Sequence, residues 1–153
     1  MLKTTLTTIL LCTSLGAFST IKEIRAEYNT IQKKVADEVY IIKTKTYKDD
    51  NVERSKTIYL NSKGVAKKLF VEGGSEDSVH SKAYYYTNEG KLFFTYQRSG
   101  DVHNGSSEIR RYYNDKMELI KEIVTPLKKG EHSISSVYSA VVEDALKYFR
   151  VEF

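Results

Sequence analysis

The sequence predicts an α+β fold with an N-terminal helix, a curved antiparallel β-meander of about six to seven strands, and a C-terminal helix. Two observations predict it. Apolar stripes with helical spacing lie near both ends of the chain. Between them an aromatic or apolar run, a short polar turn and a second apolar run occur three times, every 26 to 27 residues. Such units are typical of successive β-hairpins, which form one antiparallel sheet.

The N-terminal segment has the character of a secretory signal peptide. A positive charge at Lys3 precedes the mostly apolar residues 6–18, and Ala17 and Ser19 supply the small side chains of a cleavage site. We therefore expect a leader over 1–19 and a single α+β domain over 20–153. The protein is then exported, to the periplasm or to the cell surface and exterior, with no stable membrane span after removal of the leader.

The single cysteine bears on the redox chemistry of the mature chain. Cys12 lies within the leader, and Leu11 before it does not suit lipidation. The mature domain then has no thiol, no disulfide and no cysteine ligand for a metal. Its core alone must stabilise it.

The two helices are predicted from their apolar stripes. One helix spans about 20–37, and Ser133 can cap the other, which precedes a broad apolar face. The N-terminal stripe is Ile21, Ile24, Tyr28, Ile31 and Val35. The C-terminal stripe is Ile134, Val137, Tyr138, Val141, Ala145, Leu146 and Phe149. Between them, Val39 to Tyr47 alternates in the manner of a first strand.

The three hairpins differ in their predicted loops. The central one has the three-residue loop Asn88-Glu89-Gly90, with Gly90 in the left-handed region. The third has Asp115-Lys116-Met117, where Met117 replaces the glycine and leaves a different loop length open. For the first, a two-residue Lys63-Gly64 turn fits best and groups Ile58, Leu60, Leu69 and Val71.

Alternation then assigns the side chains to faces. In the third hairpin Arg110 lies across from Glu122 on the outer face, where Tyr85 and Phe93 also pair. The core face of the central hairpin holds Tyr84, Tyr86, Leu92, Phe94 and Tyr96. That of the third holds Ile109, Tyr113, Leu119 and Ile123.

Aromatic side chains on the outer face are the first candidate site. Tyr85, Phe93 and Tyr112 fall there, and exposed rings on a flat sheet can bind a sugar or a protein partner. The alternative is that a helix or a terminal segment covers them.

A polar rim is the second candidate. The connections Gly73 to Ser81 and Ser99 to Ser107 lie at the end of the sheet opposite the hairpin loops. They bring together Glu76, Asp77, His80, Asp101 and His103. Such a group can bind a divalent cation or polarise a water molecule. The alternative is a pair of solvated polar loops.

Several classes of function are disfavoured. Without Lys3, 23 of the 24 basic residues remain against 20 acidic ones, and they alternate with the acids instead of forming a basic stripe. Nucleic-acid binding is therefore not expected. The chain contains no phosphate-binding glycine loop, no HExxH and no Gly-x-Ser-x-Gly, so no cofactor is expected.

The hairpins also carry a resemblance. The run from Tyr84 to Phe94, followed by Glu108-Ile109-Arg110-Arg111-Tyr112-Tyr113, resembles small exported proteins of Bacteroidetes-type bacteria. Those chains have a YYxxxGKLxF hairpin, an ExRYY hairpin and a helix similar to residues 24–28. The chain departs from the pattern at Met117, where a glycine is expected. The resemblance implies a curved antiparallel sheet and export, and it implies no site residues.

These observations favour an exported, non-enzymatic binding or interaction domain with a protein or glycan partner. A metal-dependent or hydrolytic enzyme that uses the rim residues is one alternative, and a structural accessory domain of an envelope complex is another. An exposed aromatic platform supports binding, a convergent rim cluster supports an enzyme, and a large apolar patch supports an accessory role.

The leader prediction is tested by intact-mass spectrometry of the protein from an exporting host. We expect a mature mass that begins at Thr20, because the apolar segment ends at small residues just before the amphipathic stripe. The Ala17→Arg variant should retain the leader. A mature protein that still carries residues 1–19 would contradict the assignment.

Overall fold

The structure, a computed structural model, describes residue 18 and residues 20–49, 52–103 and 105–126. One helix, α1 (Ile21–Ala36), precedes a seven-stranded antiparallel sheet in which each strand pairs with its neighbours in the chain. The strands are β1 (Ile41–Asp49), β2 (Val52–Leu60), β3 (Ala66–Ser75), β4 (Ser78–Tyr86), β5 (Leu92–Asp101), β6 (Gly105–Tyr113) and β7 (Leu119–Pro126). The predicted N-terminal helix and the predicted meander are confirmed. The predicted C-terminal helix and nearly all of the leader lie outside the described residues.

The start of α1 is fixed by a capping box. The Thr20 Oγ1 accepts a hydrogen bond from the Glu23 N–H at 3.3 Å, and the Glu23 carboxylate accepts one from the Thr20 N–H at 3.0 Å. These bonds satisfy two N–H groups at the helix start that would otherwise lack partners. Lys33 and Lys34 in the last turn complement the helix dipole.

The three hairpin loops of the sheet share one geometry. In each, the first residue exchanges backbone hydrogen bonds with the third and fourth residues that follow it, and its side-chain oxygen accepts bonds from two N–H groups of the loop. The loops are Asn61–Val65, Thr87–Lys91 and Asn114–Glu118. The central prediction is confirmed. The two-residue turn predicted for the first hairpin is wrong, because Asn61 anchors the same loop as Thr87 does.

The fourth residue of each loop has a positive φ. The angle is 77° at Gly64, 78° at Gly90 and 62° at Met117. The third loop therefore has the same length as the other two, although its left-handed position holds a side chain that is strained there.

Each hairpin also contains a β-bulge, at Lys67, Phe93 and Ile120. In the central hairpin Tyr86 pairs with Leu92 as predicted, but Tyr85 pairs with Phe94, so Phe93 is the extra residue. Lys67 and Ile120 are skipped in the same way in the first and third hairpins. A bulge lets two successive side chains lie on one side of the sheet.

The bulges correct the predicted face assignments. Phe94 and Tyr96 do not share a face with Tyr84; they lie with Tyr85 and Phe93. In the third hairpin Arg110 pairs with Ile123, not with Glu122, which pairs with Arg111. Ile123 likewise lies on the face opposite Ile109, Tyr113 and Leu119. The grouping of Ile58, Leu60, Leu69 and Val71 is confirmed.

The core is divided by the sheet into two clusters. The helix face, covered by α1, carries Tyr85, Phe93, Phe94 and Tyr112, and the whole predicted stripe of α1 packs against it. The far face carries Ile58, Leu69, Val71, Tyr84, Tyr86, Leu92 and Tyr113. Both clusters are apolar, so the sheet is the middle layer between two cores.

Two lysines of the first bulge hold α1 across the strands. The buried Lys67 ammonium donates to the Glu27 carboxylate at 3.2 Å and to the Asn88 side-chain oxygen at 3.0 Å. The Lys68 ammonium donates to the Gln32 side-chain oxygen at 3.2 Å and lies 5.1 Å from the centre of the Tyr59 ring. Burial lowers the pKa of Lys68. Since Arg25 lies over Tyr112 on β6, α1 crosses the sheet from β6 to β3.

Replacement of Met117 by glycine should stabilise the protein. The left-handed conformation costs a side chain roughly 1–2 kcal/mol, and the greater freedom of glycine in the unfolded chain takes back part of that gain. We expect Met117→Gly to raise the free energy of unfolding by about 0.5–1 kcal/mol in urea denaturation.

The matched control is Gly90→Ala at the equivalent loop position, where an added Cβ meets nothing within 4 Å. It should lower the free energy of unfolding by about 1 kcal/mol through backbone strain alone. A loss of stability in Met117→Gly would show that the Met117 side chain contributes more than its strain costs.

Candidate functional site

The predicted aromatic platform is not exposed. Tyr85 is 2% exposed, Phe93 1% and Tyr112 3%, because all three lie on the face of the sheet that α1 covers. The Phe93 ring lies 4.8 Å from that of Phe18, and the Tyr85 ring lies 5.0 Å from that of Tyr28. The prediction that these rings are open to a partner was wrong, and the covering helix is the reason.

The predicted rim loops are tight turns instead of long connections. β3 continues to Ser75 and β4 begins at Ser78, while β5 and β6 leave only residues 102–104 between them. The glycine at position 74 serves a close approach of two strands, since a Cβ there would lie 2.1 Å from the Ser78 carbonyl oxygen. The predicted loop lengths are therefore wrong.

The two turns do lie side by side, as predicted. The Val102 N–H donates to the Asp77 carbonyl oxygen at 3.0 Å, and the Asp101 carboxylate accepts from the His103 N–H at 2.7 Å. Glu76, Asp77, His80 and His103 are exposed. Among the described residues, no three His, Cys, Asp or Glu side chains are grouped so that they could hold a metal ion.

A cleft between α1 and the sheet is the better candidate site. It has a volume of about 370 Å³ and lies beside the first half of α1, above β5 and β6. Ile24 and Phe94 contribute its apolar floor. Arg25, Tyr28, Asn29, Tyr96, Arg110 and Tyr112 form the rest of its lining.

The rings of the cleft are held in place by edge contacts and by guanidinium groups. Tyr28 meets Phe94 edge-on at 5.0 Å, and Phe94 packs against Tyr112 at the same distance. The Arg25 guanidinium lies 5.8 Å from the centre of the Tyr112 ring, and that of Arg110 lies 5.9 Å from the Tyr96 ring. Aromatic walls with cations at their faces suit a flat ligand that carries negative charge.

A single carboxylate organises the polar edge of the cleft. Glu108 accepts a hydrogen bond from the Tyr96 hydroxyl at 2.6 Å and another from Arg110 at 2.8 Å. The Tyr96 bond, more than the charge of Arg110, lowers the pKa of Glu108. Burial, followed by the hydrogen bond to Glu108 and then by the negative charge of Glu108, raises the pKa of Tyr96 to about 12. Tyr96 is therefore a neutral donor, and Glu108 is an anion, over the whole physiological range.

The two guanidinium groups of the cleft differ in their partners. Glu108 neutralises Arg110, while Arg25 is paired with the Tyr112 ring and with no carboxylate of the described chain. A guanidinium group that no described carboxylate binds suits an anionic ligand, which it can bind through two parallel hydrogen bonds. The described lining includes no thiol, imidazole or Ser/Thr hydroxyl, and the carboxylate at its edge, Glu108, is bonded to Tyr96 and Arg110.

The sequence analysis missed Arg25, Tyr96 and Arg110 as site residues. Arg25 lies on the charged side of a helix, where solvated arginines are common, and Tyr96 was assigned to the core face. A one-residue shift in the register of β5 would have placed Tyr96 beside Arg110. The sequence does not indicate that shift, because it results from the bulge at Phe93.

Comparisons with protein-family models, with curated proteins and with solved structures gave no match. In the part of the chain that the structure describes, no helix has the length and apolar character needed to cross a membrane.

Titration of the Tyr96 hydroxyl tests its hydrogen bond to Glu108. Replacement of Glu108 by glutamine removes the negative charge that opposes the phenolate, so the pKa of Tyr96 should fall from about 12 toward its ordinary value. The ¹³Cζ chemical shift of labelled tyrosine, followed against pH, measures it. Glu72→Gln, on the same face but bonded to Ser55, should leave that titration unchanged. Equal Tyr96 pKa values in both variants would contradict the assigned bond.

Proposed function

We propose that this protein is an exported, non-enzymatic binding domain and that the cleft beside α1 is its ligand site. The observation that carries the proposal is the pair of guanidinium groups, Arg25 and Arg110, over tyrosine rings that border a cavity. Export is supported by the leader-like residues 1–19 and by the resemblance to small exported proteins. The C-terminal helix, over about 133–149, belongs to the proposed architecture on the strength of its apolar stripe.

The ligand is a small organic monoanion with a flat or apolar body. Its carboxylate would bind Arg25, whose charge is not balanced by a carboxylate of the described chain. Its body would rest against the Tyr28 and Tyr96 rings, and the Asn29 amide would supply a neutral hydrogen bond. Aromatic acids and acidic sugars share this chemistry, since both join a carboxylate to a surface that stacks on tyrosine.

Titration calorimetry with benzoate and with glucuronate tests the proposal and separates the two sources of ligand. We expect one of them to bind the wild-type protein with a Kd at or below about 1 mM. Arg25→Gln should weaken that binding at least ~10-fold, because a charge-assisted hydrogen bond contributes about 1.5–3 kcal/mol.

The matched control is Lys34→Gln, which removes one positive charge from the other end of α1 and does not line the cleft. It should bind as the wild type does. If neither anion binds, or if Arg25→Gln and Lys34→Gln weaken binding equally, the cleft is not a site for organic monoanions.

A further inference from the structure

The open part of the helix face continues beyond the cleft as a row of polar side chains. Ser81, Arg98 and Glu108 lie directly across from one another on β4, β5 and β6. They lie two residues nearer the rim turns than Tyr96 and Arg110, which line the cleft. The register extends this polar row to β2, β3 and β7, so its members are Ser55, Glu72, Ser81, Arg98, Glu108 and Thr125. Every member is exposed or half-buried, so a ligand in the cleft has an accessible polar surface beside it.

Arg98 brings a further guanidinium group to the edge of the cleft. Within the described part of the chain it forms no ion pair, whereas Arg110 donates to Glu108 at 2.8 Å. The hydrogen bond from Tyr96, then the charge of Arg110, and then that of Arg98 lower the pKa of Glu108. The Arg98 group therefore lies near a carboxylate that Tyr96 and Arg110 already hold. Because its side chain is exposed, it can bind an anion from solvent.

The charges on this part of the helix face favour an anionic ligand. The register places the cations Arg98, Arg110 and Lys121 on β5, β6 and β7. Arg25 of α1 lies over the same strands, since its guanidinium faces the Tyr112 ring. Glu108 is the one carboxylate that the register places on this face of β5 to β7. Cations therefore outnumber carboxylates around the cleft among the described residues.

The other carboxylates that α1, β3 and β4 bring near this face have partners. Glu72 accepts a hydrogen bond from the Ser55 hydroxyl at 3.1 Å. On α1, Glu23 closes the capping box, and Glu27 accepts a bond from the Lys67 ammonium at 3.2 Å. None of these three is bonded to Arg25 or Arg98.

The chemistry of the polar row favours a sugar over an aromatic acid. The Ser81 and Thr125 hydroxyls stand on either side of Arg98 and Glu108, and the Tyr96 ring lies beside them. Sugars carry many hydroxyl groups, which bind such side chains, and an apolar ring face, which packs on an aromatic ring. An aromatic acid has no group for the row. Residues two apart on one face of a strand are about 7 Å apart, a distance comparable with one sugar unit.

We propose that the ligand of the cleft is a linear chain of uronic acid sugars, with the carboxylate of one unit bound by Arg25 and that of a neighbouring unit bound by Arg98. This inference rests on the proposed function and names its ligand class, since each unit is a small monoanion. Tyr96 supplies the ring on which the chain packs, and the polar row binds its hydroxyl groups. Arg98 is then the residue that distinguishes a chain from a single acid.

Titration calorimetry tests the proposal with glucuronate and galacturonate, each as the monomer and as a linear 1,4-linked trimer. For at least one of the two sugars, the trimer should bind the wild-type protein at least ~10-fold more tightly than the monomer, because the second contact becomes intramolecular. Arg98→Gln should remove this gain and leave the Kd of the monomer unchanged. Arg25→Gln should weaken the binding of both.

The matched control is Lys48→Gln, which removes an exposed positive charge from the helix face on β1, opposite Glu53. It should keep the full gain of the trimer. If neither monomer nor trimer binds, the proposed function fails as well. If a monomer binds and its trimer binds no more tightly, or if the gain survives Arg98→Gln, only the chain-binding proposal is overturned. Binding of benzoate without either sugar would also overturn it, since the ligand would then be an aromatic acid.

Discussion

The bulge in each hairpin is the constraint on which the rest of the structure depends. One extra residue in the second strand lets two neighbouring side chains lie on the helix face instead of alternating. In the central hairpin this pair is Phe93 and Phe94, which form part of the aromatic surface against which α1 packs. In the first hairpin it is Lys67 and Lys68, which bond to Glu27 and Gln32 of the helix. Without the bulges, half of these contacts would lie on the other side of the sheet.

The bulges also explain how much of the fold could be predicted from the sequence. The stripe from Ile21 to Val35 and the repeated hairpin units depend on periodicity, which survives any single insertion, so the helix and the strand order were predicted correctly. The face of each residue beyond a bulge depends on a one-residue shift. The pair Phe93 and Phe94 fits a strand with or without the one-residue shift, because both residues are apolar. The errors at Phe94, Tyr96, Arg110 and Ile123 therefore have one cause.

The sequence predicted the kind of side chain in the candidate site but not the position of the site in the fold. The abundance of tyrosine indicated ring-based binding, but the rings of Tyr85 and Phe93 lie under the helix that the same sequence predicts. The cleft arises where α1, crossing the sheet obliquely from β6 to β3, leaves Tyr28 and Arg25 facing Tyr96 and Arg110. A crossing direction is a property of packing between distant segments, and no local pattern records it.

The strand order has a consequence for how the molecule forms. Every pairing in the sheet joins strands that are adjacent in the chain, so each hairpin closes a short loop at a small cost in chain entropy. Topologies rich in such local pairings fold faster than those that must first bring distant segments together. The sheet can grow strand by strand from either end of the meander. The helix α1 differs from the strands, because it packs against residues of β3 to β6. The surface that it packs against is complete only after most of the sheet has formed.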